Sequence, residues 1–175
     1  MTALRVEAIG ENFGQWEELL DMIRDSFAYM DGVIDPPSSA GLQTAENLRQ
    51  KAQEETGFAA FLDDRLVGCV FLREKAHGFY LGKLAVAPAF EGRGIGRLLI
   101  QKAEDVAVAK GKPSIELQVR IELTRNRAVF EKLGYRKIAE TVRISVNADS
   151  DFIKSRTRPS LIRGQFSRSV FQACC

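Results

Sequence analysis

A glycine-rich loop with two arginines is the part of this sequence whose residue types and spacing best suit chemistry. It spans Gly92–Arg97 and reads Gly-Arg-Gly-Ile-Gly-Arg. An apolar run that reaches Pro88 precedes it and apolar residues at helical spacing follow it, so a strand, a loop and a helix are expected in that order. The first N–H groups of a helix lack intrahelical partners, and the helix dipole favours negative charge there. The loop therefore predicts a phosphate-binding helix start, to which Arg93 and Arg97 add positive charge.

Two common phosphate-binding patterns do not fit this loop. A dinucleotide-binding G-x-G-x-x-G would need glycine where Arg97 stands, and the G-x-x-x-x-G-K-[ST] pattern does not occur in the chain. A plain connector between strand and helix is the alternative without a ligand. Three alternating glycines count against it, because they cost chain entropy that a connector need not incur.

The loop resembles motif A of the GNAT superfamily of N-acetyltransferases, [QR]-x-x-G-x-[GA]. Glu91–Gly96 matches it as Glu-Gly-Arg-Gly-Ile-Gly, and Leu84–Pro88 resembles the strand that leads into it. Glu91 departs from the family pattern, and because a carboxylate repels a pyrophosphate we expect it to face solvent or pair with an arginine. The resemblance implies that the pyrophosphate and arm of acetyl-CoA are bound by Leu84, Ala85, Val86, Gly92, Arg93, Gly94, Ile95, Gly96 and Arg97.

A second stretch, Asn126–Tyr135, resembles GNAT motif B, in which an asparagine precedes a helix that ends in [YF]-x-K-x-G-[FY]. In the family this asparagine contacts the CoA arm, which the resemblance carries over to Asn126. The family's aromatic residue, when it is tyrosine, protonates the departing thiolate. Here it is Phe130, which has no proton to give, so the resemblance implies a ring that packs beside the pantetheine arm. Water could then protonate the thiolate, since a thiol has a pKa near 8.5.

The reaction that the resemblance implies is acetyl transfer from acetyl-CoA to a primary amine of a small molecule or peptide by direct attack. In the family, strands four and five splay apart and a backbone N–H of strand four meets the thioester carbonyl, here at Leu84 or Val86. The general base stays open. The candidates that we assign as catalytic are Glu116 on the fifth strand and Tyr80 on the fourth, and further candidates are Asp31, Asp35 and His77.

The loop from Tyr29 to Ser39 carries an aromatic residue, two acids and two hydroxyls, and Pro36–Pro37 stiffens it. Such a loop could line the acceptor pocket, so Tyr29, Asp31 and Asp35 are predicted to bind substrate. Two carboxylates on one stiff loop favour a cationic amine. A solvated connector explains the same residues equally well.

The composition of the chain argues against several other kinds of function. The chain has 175 residues and 45% hydrophobic residues, which suits one GNAT-like domain over 1–175 with 164–175 as a candidate irregular tail whose state stays open. A net charge of +2 does not favour nucleic acid, and a solvated tail explains the arginines near the C-terminus. We expect no metal site from one histidine and three scattered cysteines. The chain has no apolar run of membrane-spanning length and no signal peptide at its start, so a cytoplasmic protein without membrane contact is expected.

The expected architecture is α+β (α/β), a GNAT-like mixed, mostly antiparallel central sheet of about six to seven strands flanked by about four helices. The polar stretch Asn147–Ser155 is predicted to be a loop. Nothing in the sequence decides the oligomeric state, although a homodimer is compatible with the family.

Two other functions stay open beside the enzyme. One is an acyl-CoA-binding sensor or structural module of the same fold, in which Phe130 marks lost chemistry. The other is a nucleotide-binding domain of another class, which ATP or NAD rather than CoA would stabilise.

Overall fold

The computed structural model describes residues 3–33, 38–120 and 123–136, and the backbone of 139–143, 149–158 and 166–172. Its described residues form one sheet of eight strands in the order β1-β2-β3-β4-β5-β8-β7-β6. The strands are β1 Leu4–Ile9, β2 Thr56–Leu62, β3 Arg65–Lys75, β4 Gly78–Val86, β5 Ile115–Arg120, β6 Ala139–Arg143, β7 Asp149–Arg158 and β8 Phe166–Gln172. The α-helices are α1 Trp16–Phe27, α2 Ala45–Glu54, α3 Ile95–Ala109 and α4 Thr124–Lys132.

The sheet is mixed and mostly antiparallel. Strands β1 to β4 form an antiparallel meander, β5 lies parallel to β4 and to β8, and β7 runs antiparallel to β5, β6 and β8. This confirms the predicted fold class, with eight strands described where about six to seven were expected. No helix in the described part of the chain is long and apolar enough to cross a membrane.

Helices cover both faces of the central strand β3, which explains why its stretch Leu66–Leu72 is buried throughout. On one face, Cys69 and Phe71 pack with the buried residues of α1 and α2. On the other face, Val70 and Leu72 pack with the buried residues of α3. The alternation follows from strand geometry, because successive side chains point to opposite faces.

Local signals place several boundaries. Thr44 caps α2 by accepting a hydrogen bond from Asn47 N at 3.1 Å, as its residue type favours. Asp63 and Asp64 make the turn between β2 and β3 with φ of +48° and +64°, the left-handed pair that two-residue hairpins require. Gly134 follows α4 with φ +79°, the usual conformation of a residue just beyond a helix.

One prediction near the C-terminus is wrong. The predicted loop Asn147–Ser155 is largely strand, because β7 begins at Asp149. The segment 164–175, whose state the sequence left open, contains β8. Strand β8 lies between β5 and β7, so each of these segments gains hydrogen-bond partners far away in sequence. Pairing of this kind can form a strand from polar residues whose local composition does not indicate one.

Candidate active site

Strands β4 and β5 are paired at one end only. Their ladder pairs are Phe79 with Ile115 and Tyr80 with Glu116, and we call these four residues the closed end. Strand β4 continues to Val86 and β5 to Arg120, without further pairing between the two strands among the described residues. The stretches 84–86 and 119–120 form the open end. This is the splay that the family resemblance implied.

A β-bulge in β4 lies between these two ends. Across the β3–β4 ladder Cys69 pairs with Ala85 and Phe71 with Gly82, so β4 has one more residue than β3 over this interval. Lys83 lies in the bulge with φ +49°, a conformation that is uncommon for residues other than glycine. A bulge bends its strand and increases the local twist, so it sits where the two strands part.

Beyond the bulge, the backbone of β4 presents polar groups to the open end. Ala87 N donates to Val67 O at 2.9 Å and therefore faces β3. Successive backbone groups of a strand point to opposite edges, so the N–H and C=O groups of Leu84 and Val86 face the gap. Ser26 Oγ lies 2.9 Å from Val86 O and 2.6 Å from Met22 O, so its single proton is shared between two carbonyls.

The glycine loop lies beside this edge and begins α3. Gly92 and Gly94 adopt φ of +75° and +80°, and a Cβ on either would meet no atom within 4 Å. Glycine is thus needed there for backbone conformation and not for space. The first N–H of α3 with an intrahelical acceptor is that of Leu98, which donates to Gly94 O at 3.0 Å. The preceding N–H groups are free to bind an anion.

Charged side chains surround this helix start. Arg93 and Arg97 are exposed, and the Arg93 guanidinium lies 5.1 Å from the ring centroid of Phe90. Glu91 is also exposed, as expected for a carboxylate in this motif. Since solvent screens the Glu91 charge, two arginines and the helix dipole make the loop attractive to a phosphate group.

Helix α4 contacts the segment that follows α1. Asn126 Nδ2 donates to the hydroxyl of Tyr29, which follows α1, across 2.7 Å. Phe130 is only 6% exposed, and its ring packs edge-on against Tyr135 with the ring centroids 5.8 Å apart. This packing was expected for Phe130.

The model of the acetyltransferase (GNAT) family matches residues 16–135 of the chain. The chain belongs to the GNAT family. Its relatives include a mycothiol acetyltransferase of Beutenbergia cavernae, which is 36% identical over 110 residues that cover 57% of this chain and 36% of the relative. An acetyltransferase of Pectobacterium atrosepticum is 35% identical over 82 residues, 45% of this chain and 56% of the relative. The chain thus spans between about one third and just over half of these relatives.

Solved structures of acetyltransferases share the fold. The PaiA N-acetyltransferase of Thermoplasma acidophilum, solved in complex with coenzyme A, aligns with a TM-score of 0.65 at 20% identity over 85% of this chain and 97% of that one. The ribosomal-protein-S18-alanine N-acetyltransferase of Escherichia coli aligns with a TM-score of 0.67 at 14% identity over 86% of this chain and 90% of that one.

The two residues predicted to be catalytic in this GNAT domain lie together at the closed end. Tyr80 is opposite Glu116 in the ladder. Glu116 Oε2 lies 3.4 Å from Lys75 Nζ, and the same ammonium lies 5.2 Å from the ring centroid of Tyr80. His77 is exposed in the turn between β3 and β4.

Of the predicted substrate residues, the structure brings Tyr29 into contact with Asn126 on α4. Asp31 is exposed on the turn two residues later, and Asp35 lies outside the described residues. Ser26 was not predicted at all. Its contact with Val86 joins residues 60 apart in sequence, so no local pattern could have revealed it.

Sequence reasoning also missed two buried cations beside the gap, Lys83 and Arg120, each only 2% exposed. Ile115, Leu117 and Val119 pack in the core on the α3 side, so Arg120 points to the other face of β5. The signal in the sequence was that each of the two is a charged residue within an apolar strand pattern.

Burial raises the pKa of the Cys69 thiol to about 12, although the charge of Lys83 opposes that rise. Cys69 therefore stays protonated at neutral pH and is no candidate nucleophile.

Proposed function

We propose that this GNAT domain is an N-acetyltransferase that transfers the acetyl group of acetyl-CoA to a primary amine of a small molecule or peptide. The observation that carries the proposal is the open end of the β4–β5 pair, which lies directly before the glycine loop at the start of α3. The donors and acceptors of β4 suit the amide groups of a pantetheine arm, and the N–H groups of the loop suit a pyrophosphate.

The described residues fit acetyl-CoA by chemistry as well as by position. Gly92 and Gly94 leave space where side chains would stand, so a phosphate can approach the backbone closely. Arg93 and Arg97 supply charge at the same end. The CoA complex of the T. acidophilum N-acetyltransferase supports the same assignment for this chain.

In the proposed reaction the amine nitrogen attacks the thioester carbonyl carbon, and the carbon–sulfur bond breaks with its electron pair on sulfur. We assign the N–H of Leu84 or Val86 as the donor to the carbonyl oxygen, because both face the gap. A donor that is already in place as charge develops contributes about 3 kcal/mol to the barrier reduction.

The amine must lose a proton, and we assign Glu116 as the group that accepts it, directly or through water. Its side chain is 30% exposed at the closed end, so water can reach it. The ammonium of Lys75 lies 3.4 Å from this carboxyl. Asp31, on the exposed turn after Tyr29, favours an acceptor with a positive charge.

A titration of the wild-type protein tests this function. Thermal unfolding is followed with acetyl-CoA, CoA, ATP and NAD, and thiol release is then measured with polyamines, amino sugars and peptide amines. A ligand at 100 times its Kd stabilises the folded state by about 2.7 kcal/mol. We expect the shift with the two CoA species only, and thiol release with one class of amine. Absence of a shift with either CoA species contradicts the proposal.

A matched pair of glycine variants tests the loop. Gly94→Ala and Gly111→Ala place alanine at φ of +80° and +64°, at opposite ends of α3, and neither new Cβ meets an atom within 4 Å. Each should lower the free energy of unfolding by about 1–2 kcal/mol. Only Gly94→Ala should weaken acetyl-CoA binding, by about tenfold, or about 1.4 kcal/mol. Equal effects of both variants on binding would show that the loop does not hold the cofactor.

A second candidate function rests on Phe130, which stands where the family pattern offers a proton donor and is buried. A domain that has lost this group could sense acyl-CoA without turnover. The two functions differ in thiol release, because a sensor would be stabilised by acetyl-CoA yet release no thiol with any amine.

A further inference from the structure

Two arginines from separate elements lie against one phenyl ring beside the glycine loop. The guanidinium carbons of Arg65, at the start of β3, and Arg93, in the loop, lie 5.0 and 5.1 Å from the ring centroid of Phe90. The two carbons are therefore no more than about 10 Å apart, which is about the Debye length at roughly 0.1 M salt. Arg65, which the glycine pattern does not include, thus adds its charge to that of the loop.

The backbone fixes the place of the Phe90 ring. Ala87 N donates to Val67 O on β3 at 2.9 Å, and Phe90 N donates to Ala87 O at 2.8 Å in the short turn Pro88–Phe90. The ring is half-buried and packs against the core on the α3 side. Because an aromatic ring attracts a guanidinium, Phe90 is a fixed surface that holds the two arginine side chains near each other.

Neither arginine is neutralised by a carboxylate within the described part of the chain. Both residues are exposed, and across 3–33, 38–120 and 123–136 neither side chain makes an ion pair or a hydrogen bond. Arg5 shows the contrast. Its guanidinium carbon lies 4.9 Å from the ring centroid of Phe61, yet two carboxylates bind it at 2.7 and 2.9 Å. The planar N–H donors of Arg65 and Arg93 are therefore open to an anion, whereas those of Arg5 are in use.

CoA carries its phosphates in two places. The proposed function assigns its pyrophosphate to the N–H groups of the glycine loop. A further phosphate is a monoester on the 3′ position of the ribose, and a monoester carries a charge of about −1.5 to −2 at neutral pH. A guanidinium binds such a group through two parallel N–H···O bonds. Arg65 lies outside the loop, on the neighbouring strand, so it suits the phosphate that is separate from the pyrophosphate.

We propose that Arg65, held beside Arg93 by the Phe90 ring, binds the 3′-phosphate of acetyl-CoA and so lets the domain distinguish CoA from 3′-dephospho-CoA. This inference rests on the acetyl-CoA site of the proposed function. Arg65 determines which cosubstrate binds and takes no part in the acyl transfer. Phe90 is a positioning residue, because it acts only through the two arginines.

The first test compares Arg65→Gln with Arg5→Gln. Arg5 also lies against a phenyl ring, but it already has carboxylate partners, Glu7 and Asp64. Calorimetry measures the Kd of each variant for CoA and for 3′-dephospho-CoA. Arg65→Gln should weaken CoA binding roughly tenfold, the lower range for hydrogen bonds to a charged group, because the site is exposed. Its Kd for 3′-dephospho-CoA, and both Kd values of Arg5→Gln, should equal those of the wild type.

The second test removes the ring and keeps both arginines. Phe90→Leu retains an apolar side chain in the turn but offers no aromatic face to a guanidinium. The preference for CoA over 3′-dephospho-CoA should fall roughly threefold, which is the size expected of a cation–π contact at an exposed site. An unchanged preference would show that the ring does not position Arg65.

The outcomes separate the two proposals. A wild type that binds neither CoA species overturns both. A wild type that binds CoA overturns the role of Arg65 alone if it binds 3′-dephospho-CoA equally well, or if Arg65→Gln weakens both ligands by the same factor. A wild type that shows the expected effect of Arg65→Gln on binding but releases no thiol with any amine overturns the acetyltransferase function and supports the role of Arg65.

Discussion

The two ends of the β4–β5 pair are held by different interactions. The closed end has ladder pairs, and Glu74 in the adjoining part of β3 binds Lys110 and Lys112 at 2.7 and 3.1 Å. These two hydrogen bonds hold the pKa of Glu74 below its ordinary value. Beyond the ladder pairs, side chains make the described contacts instead: Ser26 on α1 bonds Val86 O on β4, and Tyr29 after α1 bonds Asn126 on α4.

The difference shows how one parallel strand pair can serve both stability and binding. Backbone pairing uses up N–H and C=O groups and fixes the strand spacing. Where pairing stops, the same groups of Leu84 and Val86 become available to a ligand, and side chains have to hold the neighbouring elements in place. The bulge at Lys83 marks the change from one arrangement to the other.

The largest effect is expected from removing the bulge. Deletion of Lys83 leaves Ala85 opposite Cys69 and Gly82 opposite Phe71 with no extra residue between them, so β4 loses the bend and the added twist that accompany its departure from β5. We expect CoA affinity to fall roughly 100-fold or more, which corresponds to about 2.8 kcal/mol, as measured by calorimetry.

The control for this deletion is Lys83→Gly, which keeps the extra residue and suits a φ of +49°. It should retain CoA binding. If the deletion variant folds and binds CoA as the wild type does, the bulge does not set the binding edge.

A smaller effect, on turnover alone, is expected at the closed end. Glu116→Gln removes the proposed base and should lower kcat roughly 100-fold without changing the affinity for acetyl-CoA. Glu74→Gln is the matched control, since Glu74 also pairs with lysines near this end, and it should keep the wild-type kcat. An unchanged kcat in Glu116→Gln would mean that a group other than Glu116 is the base.

The smallest effects are expected when one hydroxyl is removed at each end of the β4–β5 pair. Ser26→Ala removes the contact with Val86 O, and Ser114→Ala removes the hydrogen bond to His77 O at 2.8 Å. Each variant should lose about 1 kcal/mol of unfolding free energy in denaturant titrations. Only Ser26→Ala should raise the KM of acetyl-CoA, because its bond lies at the open end. A rise in the KM of acetyl-CoA in both variants would mean that the two ends of the β4–β5 pair are not independent.

Local sequence signals identified the parts of the site that depend on backbone conformation. Gly92 and Gly94 were expected beside a phosphate, and both have positive φ at the start of α3. Glycine is the residue for such a conformation, so the requirement is visible in the sequence. The cap at Thr44 and the turn at Asp63 are visible in the sequence for the same reason. In each case a side chain or a φ angle affects only residues that are neighbours along the chain.

Contacts between distant segments could not be predicted in this way. The sequence indicated Asn126 and Tyr29 separately, with a CoA contact for one and a substrate contact for the other, but they meet across 97 residues. The strand β7 was predicted as a loop, since its polar composition lacks an apolar pattern and only its pairing with β6 and β8 makes it a strand.

The sequence by itself therefore determined the family motifs, the glycine loop and the order of most elements, because these depend on residues that are near one another along the chain. The tertiary structure decided where β4 leaves β5, that Lys83 and Arg120 are buried, and that Tyr29 meets Asn126. Those features depend on the register between strands and on packing between α1, β4 and α4. They arise only when segments far apart in sequence come together.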